Sequence, residues 1–226
     1  MAILLLGISM ASCSGEDGAD GIDGIDGTNG TNGADGTDGA NGKDGTDSDD
    51  FAELLRFGYV AFSLGGTTVD NIPFQEIDTL RYTLVQGNLL DELNSVRVEQ
   101  DGDDEVHIFS MARFLSTPDD VYQEVYVAIV LTVWNLGTEN QEVNFDFELF
   151  YPIYVEGYGT LVMYVGYSSQ DVNPDHQILD LAFDPADMNH LTFSYTFTSK
   201  PSFNYLNTDI SVSGGVDVNL LENLDQ

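Results

Sequence analysis

The sequence predicts an all-β head, an antiparallel β-sandwich of jelly-roll-like form, carried on a glycine-periodic stalk. Three observations carry that prediction. Beyond position 50, apolar and polar residues alternate with period two, as in Val143-Asn-Phe145-Asp-Phe147-Glu-Leu149 and Leu191-Thr-Phe193-Ser-Tyr195-Thr-Phe197. That period sends successive side chains to opposite faces of a strand. Turn-rich segments, such as residues 100–104 (QDGDD) and 135–140 (NLGTEN), separate the runs into short strands. Before position 50, glycine holds every third place through eleven unbroken triplets over residues 15–47.

Three regions follow in chain order: a leader at 1–12, a lipidated N-terminus and stalk at 13–50, and a head at 51–226. The leader MAILLLGISMAS is apolar, ends in small residues, and is too short to span a bilayer, which needs about 20 apolar residues. It reads as a signal peptide. No Lys or Arg precedes the apolar run, so a start codon further upstream is expected. Met10-Ala11-Ser12-Cys13 is similar to the bacterial lipobox, which implies that Cys13 is acylated and becomes the mature N-terminus. Cys13 is the only cysteine. An unpaired cysteine in an exported chain calls for such an explanation, and no disulfide can form within the chain.

A strict glycine period is a collagen-type signal, because only glycine fits the axis where three polyproline-II-like chains wind together. The tract lacks proline, and the third place of every triplet is Asp or Asn. Two forms are therefore open, a homotrimeric triple helix and a disordered, charged spacer. The leader and tract together resemble the collagen-like surface lipoproteins of bacteria. Glu16 and Asp17 behind Cys13 are similar to the acidic export tags of Bacteroidetes surface lipoproteins. The resemblance implies a protein held in the outer membrane by its lipid and exposed at the cell surface.

In the head, residues 51–57 suit a helical turn beside the stalk. Strands are expected at 57–64, 80–86, 93–99, 105–114, 126–134, 143–149, 158–166, 177–183, 191–197 and 210–220. Residues 126–134 (YVAIVLTVW) are almost all apolar and read as a central strand buried on both faces. The pair Gly214-Gly215 suggests a bulge or a bend in the last strand.

The chain of 226 residues carries 39 acidic and 6 basic side chains, a net charge of −33. After position 50 stand 28 acids and five bases, a balance of −23 for the head. Nucleic acid is excluded as a partner, since its affinity rests on Lys and Arg displacing counterions. Catalytic signatures such as GxSxG, HExxH and a phosphate-binding glycine loop do not occur, and no enzyme activity is expected. His107, His176 and His190 are not spaced as local metal ligands.

Asp171, Asn173 and Asp175 match the first three ligand positions of a calcium loop, which makes them the candidate calcium site. His176 and Ala182 occupy the places of the turn glycine and the bidentate glutamate, and a plain Asx/Pro turn explains the same residues. Residues 101–105 and the trio Asp184, Asp187 and Asn189 are further acidic loops. Tyr154, Tyr158, Tyr164 and Tyr167 are candidates for stacking on sugar rings, against a plain core role for alternating aromatics. The expected function is a lipid-anchored surface protein whose head serves adhesion or structural presentation. The alternative is a carbohydrate-binding module that captures polysaccharide; an enzyme stands third. A glycan or a surface protein is the partner implied.

Overall fold

The computed structural model describes residues 55–83, 93–116, 125–170 and 175–222, all within the unit Asp44–Gln226. Eleven strands run through them: β1 (Gly58–Thr67), β2 (Pro73–Leu80), β3 (Asn94–Asp101), β4 (Asp104–Phe114), β5 (Tyr126–Trp134), β6 (Glu142–Val155), β7 (Gly159–Ser168), β8 (Gln177–Asp184), β9 (His190–Ser199), β10 (Ile210–Asn219) and β11 (Leu221–Glu222). They form a five-stranded sheet in the order β2-β1-β10-β9-β8 and a six-stranded sheet in the order β11-β3-β4-β5-β6-β7. All pairings are antiparallel except β11 with β3. The fold is the all-β antiparallel sandwich that the period-two patterning implies. Most strands follow one another as hairpins within a sheet. β1 closes onto the late strand β10 across a long connection.

The two inner faces meet on aromatic side chains. Phe145 of β6 has its ring centroid 5.5–6.4 Å from those of Phe193, Tyr195 and Phe197 on the facing β9. Val60, Leu64, Leu131, Leu149, Val165 and Leu191 are fully buried around them. Each such side chain contributes on the order of 1.5–3 kcal/mol by leaving water. Arg113 of β4 is also wholly buried, and its guanidinium donates to the carbonyls of Phe57, Gly58 and Ala112. Burial pulls its pKa down to about 9. The side chain thus fixes the point where the chain enters β1.

Several sequence expectations change at this level. Residues 80–86 are not a strand where they are described: Leu80 ends β2, and Tyr82 makes only an isolated bridge to Phe114. The strand lies earlier, at Pro73–Leu80, because its inward positions are Phe74, Glu76, Asp78 and Leu80, and two acids there break the apolar alternation. Asp78 is held by the Tyr151 hydroxyl, which donates to its carboxylate across the sandwich. Gly214-Gly215 forms no bulge, since β10 keeps unbroken register with β1 and β9 through both glycines. The irregularity instead falls on edge strand β8, between Leu179 and Ala182, with Asp180 at φ 54°. A bulge there blunts an edge that would otherwise pair with another chain. Finally, β5 is buried on one face only. Val127, Ile129, Leu131 and Val133 point inward at 0–1% exposure, whereas Val130 on the other face is 39% exposed.

A groove on the outer face of the six-stranded sheet

The outward residues of β4 to β7 fall into rows that cross the sheet. Phe114, Tyr126, Phe150 and Tyr164 are successive cross-strand partners, which makes one row aromatic throughout. The next row holds Ala112, Ala128, Glu148 and Gly166, and the one after it Ser110, Val130, Asp146 and Ser168. Cross-strand neighbours stand about 4.5–5.5 Å apart, so bulky side chains beside small ones leave a trough along the small row. That trough is an open groove of about 410 Å³. Ala128 and Gly166 line its floor, Asp146 and Glu148 its middle, and Tyr164 and Phe203 its sides.

Gly166 decides how Tyr164 lies. A Cβ at Gly166 would sit 2.9 Å from the Tyr164 hydroxyl and 3.2 Å from its ring carbons. The phenol end of the ring therefore lies over the glycine, in space that a Cβ would fill. Tyr205 packs against it with centroids 5.6 Å apart and is itself 64% exposed. Phe203 and Tyr205 arrive on the loop after β9, which begins as the 3-10 turn Pro201–Phe203. Asn204 pins that loop: its Nδ2 lies 2.8 Å from the Lys200 carbonyl and 2.9 Å from that of Thr208. Its Oδ1 accepts from the Leu206 amide at 3.0 Å. A backbone bridge from Asn204 to Val165 then sets the loop beside β7.

Both carboxylates in the groove are oriented by hydroxyls. Ser168 donates to Asp146 Oδ1 at 2.6 Å. Tyr126 bonds to Glu148, and its phenol is pushed up to about 12 by burial first and by that carboxylate second. Tyr164 is raised by burial, then by Glu148 and Tyr205. Each carboxylate keeps further lone pairs for donors from outside.

The residues singled out from the sequence divide unequally. Cys13, Asp171 and Asn173 lie outside the described residues. Asp175 is described: its Oδ1 accepts from the Thr198 amide at 3.2 Å, and its own amide donates to Tyr167 at 3.1 Å. Among the described residues, no group of three or more His, Cys, Asp or Glu side chains is placed to hold a metal ion. Asp101 and Asp104 close the β3–β4 hairpin with Gly102 at φ 66°, and Asp184 accepts from the Ala186 amide in a turn. Of the four candidate tyrosines, Tyr164 enters the groove. Tyr167 also borders the groove, with its ring turned into the sandwich 4.5 Å from that of Phe197. Tyr154 is 71% exposed on β6, and Tyr158 sits in the β6–β7 turn. The sequence reading missed Tyr126, Asp146, Glu148, Phe203 and Tyr205. The signal for them was the apolar run at 126–134, because an antiparallel sandwich leaves one face of each strand uncovered.

A second depression, also about 410 Å³, lies on the outer face of the five-stranded sheet. Ser63, Gln75, Thr196, Thr198 and Ser211 line it, without an exposed ring. Asp175 and the apolar Leu64, Phe197 and Val212 also line it. The fold and the first groove define the class: an antiparallel β-sandwich with an aromatic and acidic trough across one outer face. Protein-family models, curated proteins and solved structures give no match to this chain.

Proposed function

We propose that this chain is a lipid-anchored surface protein whose stalk-borne head binds carbohydrate in the groove over Ala128 and Gly166. The observation that carries the reading is the Tyr164 ring, which lines the groove with its phenol end over Gly166, beside two carboxylates already oriented by hydroxyl donors. A sugar ring has an apolar C–H face and a rim of hydroxyls. The flat aromatic face suits the first, and acceptor-only carboxylates suit the second. The apolar leader, Cys13 and the glycine tract support display at the surface, where capture of a polysaccharide serves adhesion.

Asp146 and Glu148 are two residues apart on one strand, and both line the groove. A glycan array with residues 51–226 tests the reading: saturable binding is expected, and Tyr164→Ala should abolish it. A head that binds no glycan on the array overturns it. Palmitate labelling of the wild type and of Cys13→Ala tests the anchor, since label retained by the variant excludes acylation at Cys13.

A further inference from the structure

We propose that the groove takes an uncharged polysaccharide lying across the strands, two or more rings at a time, and turns acidic polysaccharides away. The inference presupposes that the groove binds carbohydrate, and it adds the class of chain and its direction.

Direction follows from register. Ala128, Glu148 and Gly166 are successive partners on β5, β6 and β7 and all line the groove, whereas Ala112, next in the row on β4, is buried. Three strands at about 4.8 Å spacing make an open row about 10 Å long, the reach of two or more sugar rings rather than of one. The outward Tyr126, Phe150 and Tyr164 of the neighbouring row run parallel to it, and Tyr164 lines the groove itself. A chain laid along the small row runs beside these rings. A chain laid along the strands would ride over Phe150 and Tyr164.

Charge sets the class. Asp146 and Glu148 line the trough, and among the described residues no Lys or Arg does. The nearest base on the bordering loop, Lys200, is paired with Asp209 at 3.5 Å. A uronate or sulfate ester in the groove would face two carboxylates with no counter-charge, in a head already at −23. Like charges brought together on a partly covered surface repel. Sugar hydroxyls bring the donors that Asp146 and Glu148 have room to accept, and hydrogen bonds to a charged acceptor are worth about 1.5–3 kcal/mol each. The floor of Ala128, Val130 and Gly166 and the flanking Phe203 are apolar, which suits the C–H faces of uncharged rings better than a row of ammonium groups.

Gly166→Ala isolates the platform. The added methyl meets the free end of the Tyr164 side chain, which can swing away, so the fold is kept while the ring is displaced. Residues 13–226 carrying Cys13→Ser would be titrated calorimetrically with soluble mannan and β-glucan, alginate and chitosan. At least one uncharged polymer should bind, with affinity little changed between roughly 0.05 and 0.5 M salt, because stacking and hydrogen bonding are weakly screened. Affinity for its oligomers should rise with length and level off once the row is filled. Gly166→Ala should lower affinity about tenfold or more, a loss of about 1.4 kcal/mol or more, at an unchanged melting temperature. Asp146→Asn with Glu148→Gln should weaken the uncharged polymer and admit alginate. Alginate that competes with the uncharged polymer on the wild type overturns the inference and leaves carbohydrate binding standing. Chitosan binding alone, lost in salt, overturns it in favour of plain electrostatic attraction. Binding of an uncharged polymer that Gly166→Ala leaves intact places the site elsewhere, and binding of no polymer overturns the carbohydrate reading itself.

Discussion

Tyr195 and Gly214 are a matched pair that neither residue explains alone. They are cross-strand partners on β9 and β10. The Tyr195 ring covers the glycine, and its hydroxyl donates to the Ala61 carbonyl at 2.9 Å, one strand further on. Burial holds the phenol far above its usual pKa, so it acts as a donor at every working pH. A Cβ at Gly214 would come within 2.1 Å of the Ala61 carbonyl oxygen and 2.4 Å of the Tyr195 hydroxyl. Gly214→Val should therefore cost at least the upper end of about 1–3 kcal/mol, while Tyr195→Phe should cost about 1 kcal/mol. Urea melts of both variants check the ranking; equal losses would mean that backbone crowding is not the constraint. His107 supplies a pH effect at the same scale. It is packed between Phe109 and Phe183, and burial lowers its pKa against the opposing pull of Glu105. A histidine lowered in the folded state takes up protons more readily when unfolded. The stability it contributes is full above the unfolded pKa near 6.5 and falls as pH drops through that value toward the folded one. His107→Phe should flatten the decline between pH 7.5 and 5 expected of the wild type, as read by melting temperature. A variant as acid-sensitive as the wild type would assign the effect to other groups.

Among the elements, legibility follows what each strand buries. β6 and β9 alternate cleanly because one face packs on the facing sheet and the other meets water, so their sequences show both their period and their inward residues. β2 escaped the same reading because Glu76 and Asp78 stand at inward positions, satisfied at long range by Tyr151 in the case of Asp78. No local pattern reports a partner 73 residues away. β5 was legible as a strand and misjudged as buried on both faces, and that misjudgment concealed the groove. Its outward Tyr126, Ala128 and Val130 acquire meaning only through register with Glu148, Asp146 and Gly166, which no single strand encodes. The loop with Phe203 and Tyr205 was illegible for the same reason: its shape depends on one buried asparagine. Asn204→Ala removes donors from the carbonyls of Lys200 and Thr208 and an acceptor from the Leu206 amide. Leaving such groups unpaired costs about 1–3 kcal/mol. Hydrogen exchange should accelerate across residues 200–208, and carbohydrate affinity should fall through loss of the Phe203 and Tyr205 positions. Slow exchange in that loop after the substitution would show that β7 holds it without Asn204.

At the scale of the whole molecule, the glycine tract bears on how strongly the head engages a polymer. Nine acids and one lysine in the triplets give −8 per chain. Three chains brought to one axis would gather 24 negative charges, and the absence of proline leaves each chain less pre-ordered for polyproline II. Screening opposes the repulsion, since the Debye length shortens to about 8 Å at 0.15 M salt. We therefore expect residues 14–226 to form a homotrimer that weakens at low ionic strength and tightens with added salt or calcium. Gly30→Ala should disrupt it, because a methyl group does not fit at the axis. Three heads on one stalk would then bind a repeating polysaccharide with an avidity above that of the isolated head, by a factor of about 10²–10⁴ where the geometry allows simultaneous contact. Sedimentation across a salt series, paired with polymer binding by residues 14–226 and by the head alone, separates the contributions. A trimer in high salt with enhanced binding, both lost in Gly30→Ala, is the expected result. A monomer at every salt concentration, with the same affinity as the isolated head, would reduce the tract to a flexible acidic spacer.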